Sequence, residues 1–161
     1  VMWKTGHSLI KGKLKELNAD LAGEMSGHMF FKHRYFGFDD AIYATARFAE
    51  IVSNYEGAVS SLLADLPKMV STPEIRVDCA EEIKFKLIAE AQNAFSDYKV
   101  NTLDGVRIEF DRGWGLVRAS NTQPVLVMRF EAETQQKLDE YQKVVVDRVE
   151  KIKSQISGLH R

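Results

Sequence analysis

DRGWGLVRASNTQPVLVMRF, residues 111–130, decides how the second half of the chain folds. Residues 116–119 and 125–130 are short apolar runs and read as strands. Between them stand Ser120, Asn121, Thr122, Gln123 and Pro124, which favour a turn. Upstream, residues 100–103 and 106–110 flank Asp104-Gly105, a strong hairpin signal. Downstream, residues 134–156 set Leu138, Tyr141, Val145, Val149, Ile152 and Ile156 on one side of a long helix. Residues 74–79 alternate as a strand. Residues 81–95 read as a helix with Phe85, Ile88, Ala89 and Ala91 as its apolar positions. Strands in hairpin succession beside long helices make an α+β domain.

PKMVSTP, residues 67–73, carries two prolines and little periodicity, and reads as the boundary with an earlier domain. The expected division is therefore 1–70 and 71–161. In the first part, residues 1–3 read as a strand, and a helix follows over 9–17 with Leu9, Ile10, Leu14 and Leu17 at helical spacing. Ser8 is its expected N-cap. Residues 19–23 read as a second strand. Strand, helix, strand at this spacing predicts a βα unit in a parallel sheet, an α/β arrangement. Ligands bind at the C-terminal edge of such sheets, so the loops KTGH and EMSGH are expected at one crevice. Residues 28–35 read as an extended arm or hairpin. FGFDD opens a helix with Asp39 and Asp40 at its positive end. Ile42, Ala46, Ala49 and Val52 are its expected buried face, Gly57 its end, and 58–65 a short second helix.

Composition narrows the function. Apolar residues make up 45% and charged residues 28% of the 161, ordinary for a globular protein. No apolar run approaches the roughly 18 residues that span a bilayer, and the first residues lack a secretory pattern. A cytoplasmic protein with no membrane partner is expected, and the single Cys79 fits a reducing compartment. With 22 basic and 23 acidic residues the net charge is -1. That balance counts against a nucleic-acid partner, whose phosphates demand a basic surface. Because the chain opens at Val1 in what reads as a strand, a piece of a longer protein is expected.

Three stretches carry candidate chemistry. In EMSGH, the carboxylate of Glu24, the hydroxyl of Ser26 and the imidazole of His28 stand within five residues, with Gly27 allowing a sharp bend. Such a set suits a polyol; it equally suits a polar turn capping its own backbone. Glu24, His28 and His33 are also metal-ligand types, but their spacing matches no standard zinc pattern, and no metal is expected in this chain. In RASNT, the guanidinium of Arg118, the hydroxyls of Ser120 and Thr122 and the amide of Asn121 suit a phosphate dianion. The same residues suit a plain hairpin connection. In KTGHS, Gly6 and His7 stand at a helix start, where an anion or sugar oxygen can sit.

Taken in order, KTGHSLIKGKLKE, LAGEMSGHMFFKHRYFGFDDAIYATAR and GWGLVRASNTQPVLVMRFEA resemble the C-terminal part of the bacterial phosphomannomutase/phosphoglucomutase family, within the α-D-phosphohexomutase superfamily. The resemblance covers essentially the whole chain. It implies most of a third, mixed α/β domain over 1–70, N-terminally incomplete, and a fourth, TATA-binding-protein-like α+β domain over 71–161. It implies interconversion of hexose 1-phosphate and hexose 6-phosphate through a hexose 1,6-bisphosphate. A phosphoserine of a first domain and a Mg2+ held by aspartates of a second would serve that reaction. By the same resemblance Glu24, Ser26, His28, Gly6 and His7 bind the sugar, and Arg118, Ser120, Asn121 and Thr122 bind the phosphate. The family's phosphoserine pattern (Thr/Ser-x-Ser-His-Asn-Pro) and its Asp-Gly-Asp-x-Asp-Arg metal loop are both absent, and domains 1 and 2 are missing. The chain alone is expected to recognise a phosphosugar without turning it over, with no catalytic residue of its own. The alternative is a non-catalytic ligand- or nucleic-acid-binding module.

Overall fold

The computed structural model describes residues 1–158. The chain divides into two compact units, Val1–Leu66 and Pro67–Arg161.

The first unit opens with helix α1, His7–Glu16. Residues 1–3 form no strand, and Val1, Met2 and Trp3 are exposed. A strand needs a neighbour to take its backbone hydrogen bonds, and among the described residues none pairs with this segment; Trp3 instead lies under the Lys13 ammonium, 4.2 Å from the ring centroid. Ser8 is not the N-cap. Gly6 is, because its backbone turns at φ 133 and starts the helix earlier. Only Ile10 and Leu14 of α1 are buried; Leu9 and Leu17 face outward.

Strands β1 (Leu21–Gly23), β2 (Met29–Phe31) and β3 (Phe38–Asp39) follow. They pair antiparallel in that order, Gly23 opposite Met29 and Phe31 opposite Phe38. The expected parallel βα unit is therefore not formed. The cause is local: the Glu24 N–H donates to His28 O at 2.9 Å and the Gly27 N–H to Glu24 O at 3.0 Å. With Gly27 at φ 93, EMSGH becomes a hairpin turn, and β1 pairs with the strand after it.

Helix α2, Ala41–Ser53, is capped by Asp40, whose carboxylate accepts the Tyr43 N–H at 2.9 Å. Its expected buried face is wrong. Ile42, Ala46 and Ala49 are exposed and Val52 is half-buried. The helix docks through Tyr43, stacked on Tyr35 at 3.9 Å and edge-on to Phe31 at 5.6 Å. It ends at Ser53, before Gly57, and a 3-10 turn at Val59–Leu63 replaces the expected second helix.

The second unit is a six-stranded antiparallel sheet with two helices. Its strands are β4 (Val70–Ser71), β5 (Ile75–Asp78), β6 (Lys99–Asn101), β7 (Val106–Phe110), β8 (Gly113–Ala119) and β9 (Val125–Ala132). The order is β4-β9-β8-β7-β6, with β5 also paired to β9. Helix α3 spans Glu81–Ala94 and α4 spans Gln135–Gly158. All six expected positions of α4 are buried. On α3, Ile88 and Ala91 are buried as expected, whereas Phe85 and Ala89 are exposed and Lys84 and Leu87 point inward. These side chains join Val106, Ile108, Val117, Leu126, Met128 and Phe130 of the sheet in one core. This is the mixed α/β plus TATA-binding-protein-like α+β class that the resemblance implies. Among the described residues, no helix is long and apolar enough to cross a membrane.

Candidate functional site

In the first unit, the start of α1 and the β1–β2 turn converge. Glu24 accepts the Gly6 N–H on Oε1 at 2.9 Å, tying KTGH to EMSGH. The His7 and His28 rings meet edge-on at 4.6 Å. His7 also stands edge-on over Phe30, which is wholly buried. The two loops therefore share one locus as expected, but through a hairpin turn and a glycine rather than through parallel strand ends. The Ser26 hydroxyl is exposed at the tip of the turn.

Asp39 belongs to this locus, and sequence reading gave it only a place near a helix start. Its Oδ2 lies 2.7 Å from His28 Nδ1 and 3.6 Å from His7 Nε2. Its Oδ1 accepts the Met29 N–H at 3.2 Å. The signal for it is the antiparallel register, which sets Asp39 opposite Phe30, and one chain segment does not reveal that. His33 lies outside the cluster. His7, Glu24 and His28 are the metal-ligating types brought together, with ligand atoms within 4.8 Å of one another. Magnesium demands near-octahedral oxygen ligation; two imidazoles and one carboxylate do not fit it.

In the second unit, the loop between β8 and β9 is held from beneath. Lys84 is wholly buried, and its ammonium donates to Ser120 O at 2.6 Å, Gln123 O at 3.1 Å and Glu81 Oε2 at 2.7 Å. A buried ammonium persists only with such partners. Two loop carbonyls are thereby drawn inward. Arg76 Nη1 donates to Gln123 Oε1 at 2.6 Å, and the Cys79 N–H to Pro124 O at 2.9 Å. Burial pushes the Cys79 thiol pKa up, so it stays protonated. Ser120 is buried, and its hydroxyl accepts the N–H groups of Thr122 at 3.3 Å and Gln123 at 3.2 Å. Asn121 and Thr122 are exposed.

Arg118 stands at the end of β8, on the sheet face opposite the core helices, and is half-buried with no ion pair among the described residues. Arg129 occupies the same face of β9, since it pairs with Leu116 while Arg118 pairs with Val127. Its Nε is buried without a hydrogen-bond partner. Two arginines on one sheet face, neither in an ion pair among the described residues, stand near exposed amide and hydroxyl donors of the loop, a combination that suits an anion. Lys84 and Arg129 were missed in the sequence because each is a cation in a run otherwise read for its apolar periodicity.

Residues 1–70 match the family model for phosphoglucomutase/phosphomannomutase, alpha/beta/alpha domain III. Residues 74–148 match the model for the phosphoglucomutase/phosphomannomutase C-terminal domain. A phosphomannomutase/phosphoglucomutase of Pseudomonas syringae pv. tomato is 52% identical over 154 residues, 94% of this chain and 33% of that protein. One from Pseudomonas aeruginosa is 49% identical over 158 residues, 97% of this chain and 34% of its own. The crystal structure of a phosphoglucomutase/phosphomannomutase family protein from Burkholderia thailandensis superposes with a TM-score of 0.80 at 45% identity, over 93% of this chain and 32% of that one. The chain thus spans about a third of the length of the curated relatives it matches.

Proposed function

The chain belongs to the phosphoglucomutase/phosphomannomutase family, and from that premise we propose that it is the substrate-recognition part of a phosphohexomutase. Its parent activity is the exchange of a phosphoryl group between positions 1 and 6 of a hexose, through a bisphosphorylated sugar. Residues 1–70 read the sugar and residues 71–161 hold a phosphate. Glu24 accepts from ring hydroxyls, Ser26 donates or accepts, and His28 and His7 donate, with Gly6 letting the backbone approach. Arg118 meets the phosphate with its fork, joined by Arg129, Asn121 and Thr122. Ser120 acts mainly by shaping the loop.

The observation that carries this reading is Arg118, in no ion pair among the described residues, next to a loop pinned from below by Lys84. A loop fixed in advance spends little binding energy on ordering. Phosphoryl transfer depends mainly on positioning and charge stabilisation, and a grip on the phosphate that is not being transferred supplies positioning. The phosphoryl donor and the magnesium ion are contributions of other domains. This chain binds and orients, and does not turn substrate over.

Calorimetric titration with glucose 1-phosphate tests it. Charge-assisted hydrogen bonds contribute about 1.5–3 kcal/mol, so Arg118→Ala is expected to weaken binding about tenfold or more. An unchanged affinity in the variant would remove Arg118 from the site and the reading with it.

A further inference from the structure

We propose that His7, Glu24 and His28 form a binding site for a divalent transition-metal cation of the zinc class. Their ligand atoms lie within 4.8 Å of one another. A tetrahedral zinc ion with bonds of about 2.0–2.2 Å holds its ligand atoms roughly 3.4 Å apart. Both histidines are about half exposed, His7 at 48% and His28 at 45%, so the cluster is open to an ion from solvent. Two imidazole nitrogens and one carboxylate oxygen are a donor set that zinc takes with a fourth position left open.

A second observation comes from the residues around the cluster. The Asp39 carboxylate is held by the Met29 N–H and faces His28 Nδ1 at 2.7 Å. With the proton on Nδ1 and donated to this carboxylate, the Nε2 lone pair is available to a metal, the arrangement of histidine–zinc centres. Glu24 spends Oε1 on the Gly6 N–H and keeps Oε2 for a ligand. Together the Glu24 and Asp39 carboxylates bring two negative charges to the locus, which a dication offsets.

The site has a consequence that rests on the proposed function. The three side chains are those assigned to the sugar hydroxyls, so a bound cation and a bound sugar exclude each other. Zinc acts here as a competitor of sugar reading and takes no part in phosphoryl transfer.

Titration of the chain with zinc chloride in a non-coordinating buffer tests the site, with imidazole nitrogen resonances as a second readout. One zinc per chain is expected, with shifts at His7 and His28. Asp39→Asn is expected to weaken zinc about 10–100-fold, and His28→Ala or His7→Gln at least as much. His33→Ala should change nothing, and magnesium chloride should not displace the zinc. His7→Gln keeps bulk over Phe30, and circular dichroism checks the fold of each variant. No zinc binding, or binding that survives His7→Gln with His28→Ala, would overturn the proposal. With zinc bound, glucose 1-phosphate affinity should fall while that of inorganic phosphate holds. A sugar phosphate that binds equally well to the zinc form would overturn the competition. Should glucose 1-phosphate fail to bind at all, the proposed function falls, and the zinc titration still decides the metal site.

Discussion

In the first unit, Ile10, Leu14 and Phe30 form the cluster of buried apolar side chains, backed by Ala19 and Ala22. In the second, α3, α4 and three strands pack into one continuous core that runs from Cys79 to Ile156. Each carries a candidate recognition loop, yet the two loops rest on unequal foundations. Apolar burial stabilises by about 25 cal/mol per Å2, so a few side chains support the histidine cluster while many support the Arg118 loop. The polar network at the first locus does part of the work that packing does at the second. Glu24 and Asp39 tie its segments together through backbone N–H groups.

The largest effect is expected of Phe30→Ala. Phe30 is fully buried and supports His7. A loss of about 3–5 kcal/mol is expected, enough to open the first unit. Amide exchange should then rise across Val1–Leu66 and stay slow in β7, β8 and β9. A matching rise in the second unit would mean that the two do not fold separately.

Lys84→Met comes next. It keeps the volume and removes the cation, leaving Ser120 O and Gln123 O without their donor. Each unmet acceptor costs about 1–3 kcal/mol. The loss should appear as a lower Tm together with weaker inorganic phosphate binding. Intact phosphate affinity would show that the loop holds its shape without Lys84.

Acid affects both units more mildly. Hydrogen bonds from Tyr35 and the Tyr43 N–H hold the Asp40 carboxyl below its ordinary range, and Arg148 does the same for Asp97. The fold favours the ionised form of each, so their contribution is full above about pH 4 and is lost as pH falls through the lowered values. Denaturant midpoints should be level from pH 7 to 5 and fall below 4. The smallest effect belongs to Ile42→Ser. Ile42 is 85% exposed, and a stability change within about 0.5 kcal/mol is expected; a larger loss would mean that α2 buries the face its apolar letters suggested.

Sequence reading succeeded where periodicity alone decides. Leu138, Tyr141, Val145, Val149, Ile152 and Ile156 recur at helical spacing along α4, and each is buried. It failed where the outcome depends on a distant partner. The apolar letters of α2 do not reveal that Tyr43 finds Tyr35 and Phe31. Val1, Met2 and Trp3 have strand propensity but no neighbour to pair with. EMSGH was legible as a group of polar side chains, whereas its turning β1 back upon β2 depends on hydrogen bonds formed only after the bend. Asp39 reaches His28 only once that register exists. Lys84 looks like a solvated helix lysine until the β8–β9 loop is set above it.

Under the proposed function the two units divide recognition, one reading hydroxyls and the other phosphate. Chemical-shift mapping of backbone amides tests it most directly, with inorganic phosphate and glucose 1-phosphate as the two probes. Phosphate alone should move residues 118–123. Glucose 1-phosphate should move these and, in addition, residues 6–7 and 24–28. Shifts confined to 118–123 with both probes would contradict the assignment of EMSGH to the sugar.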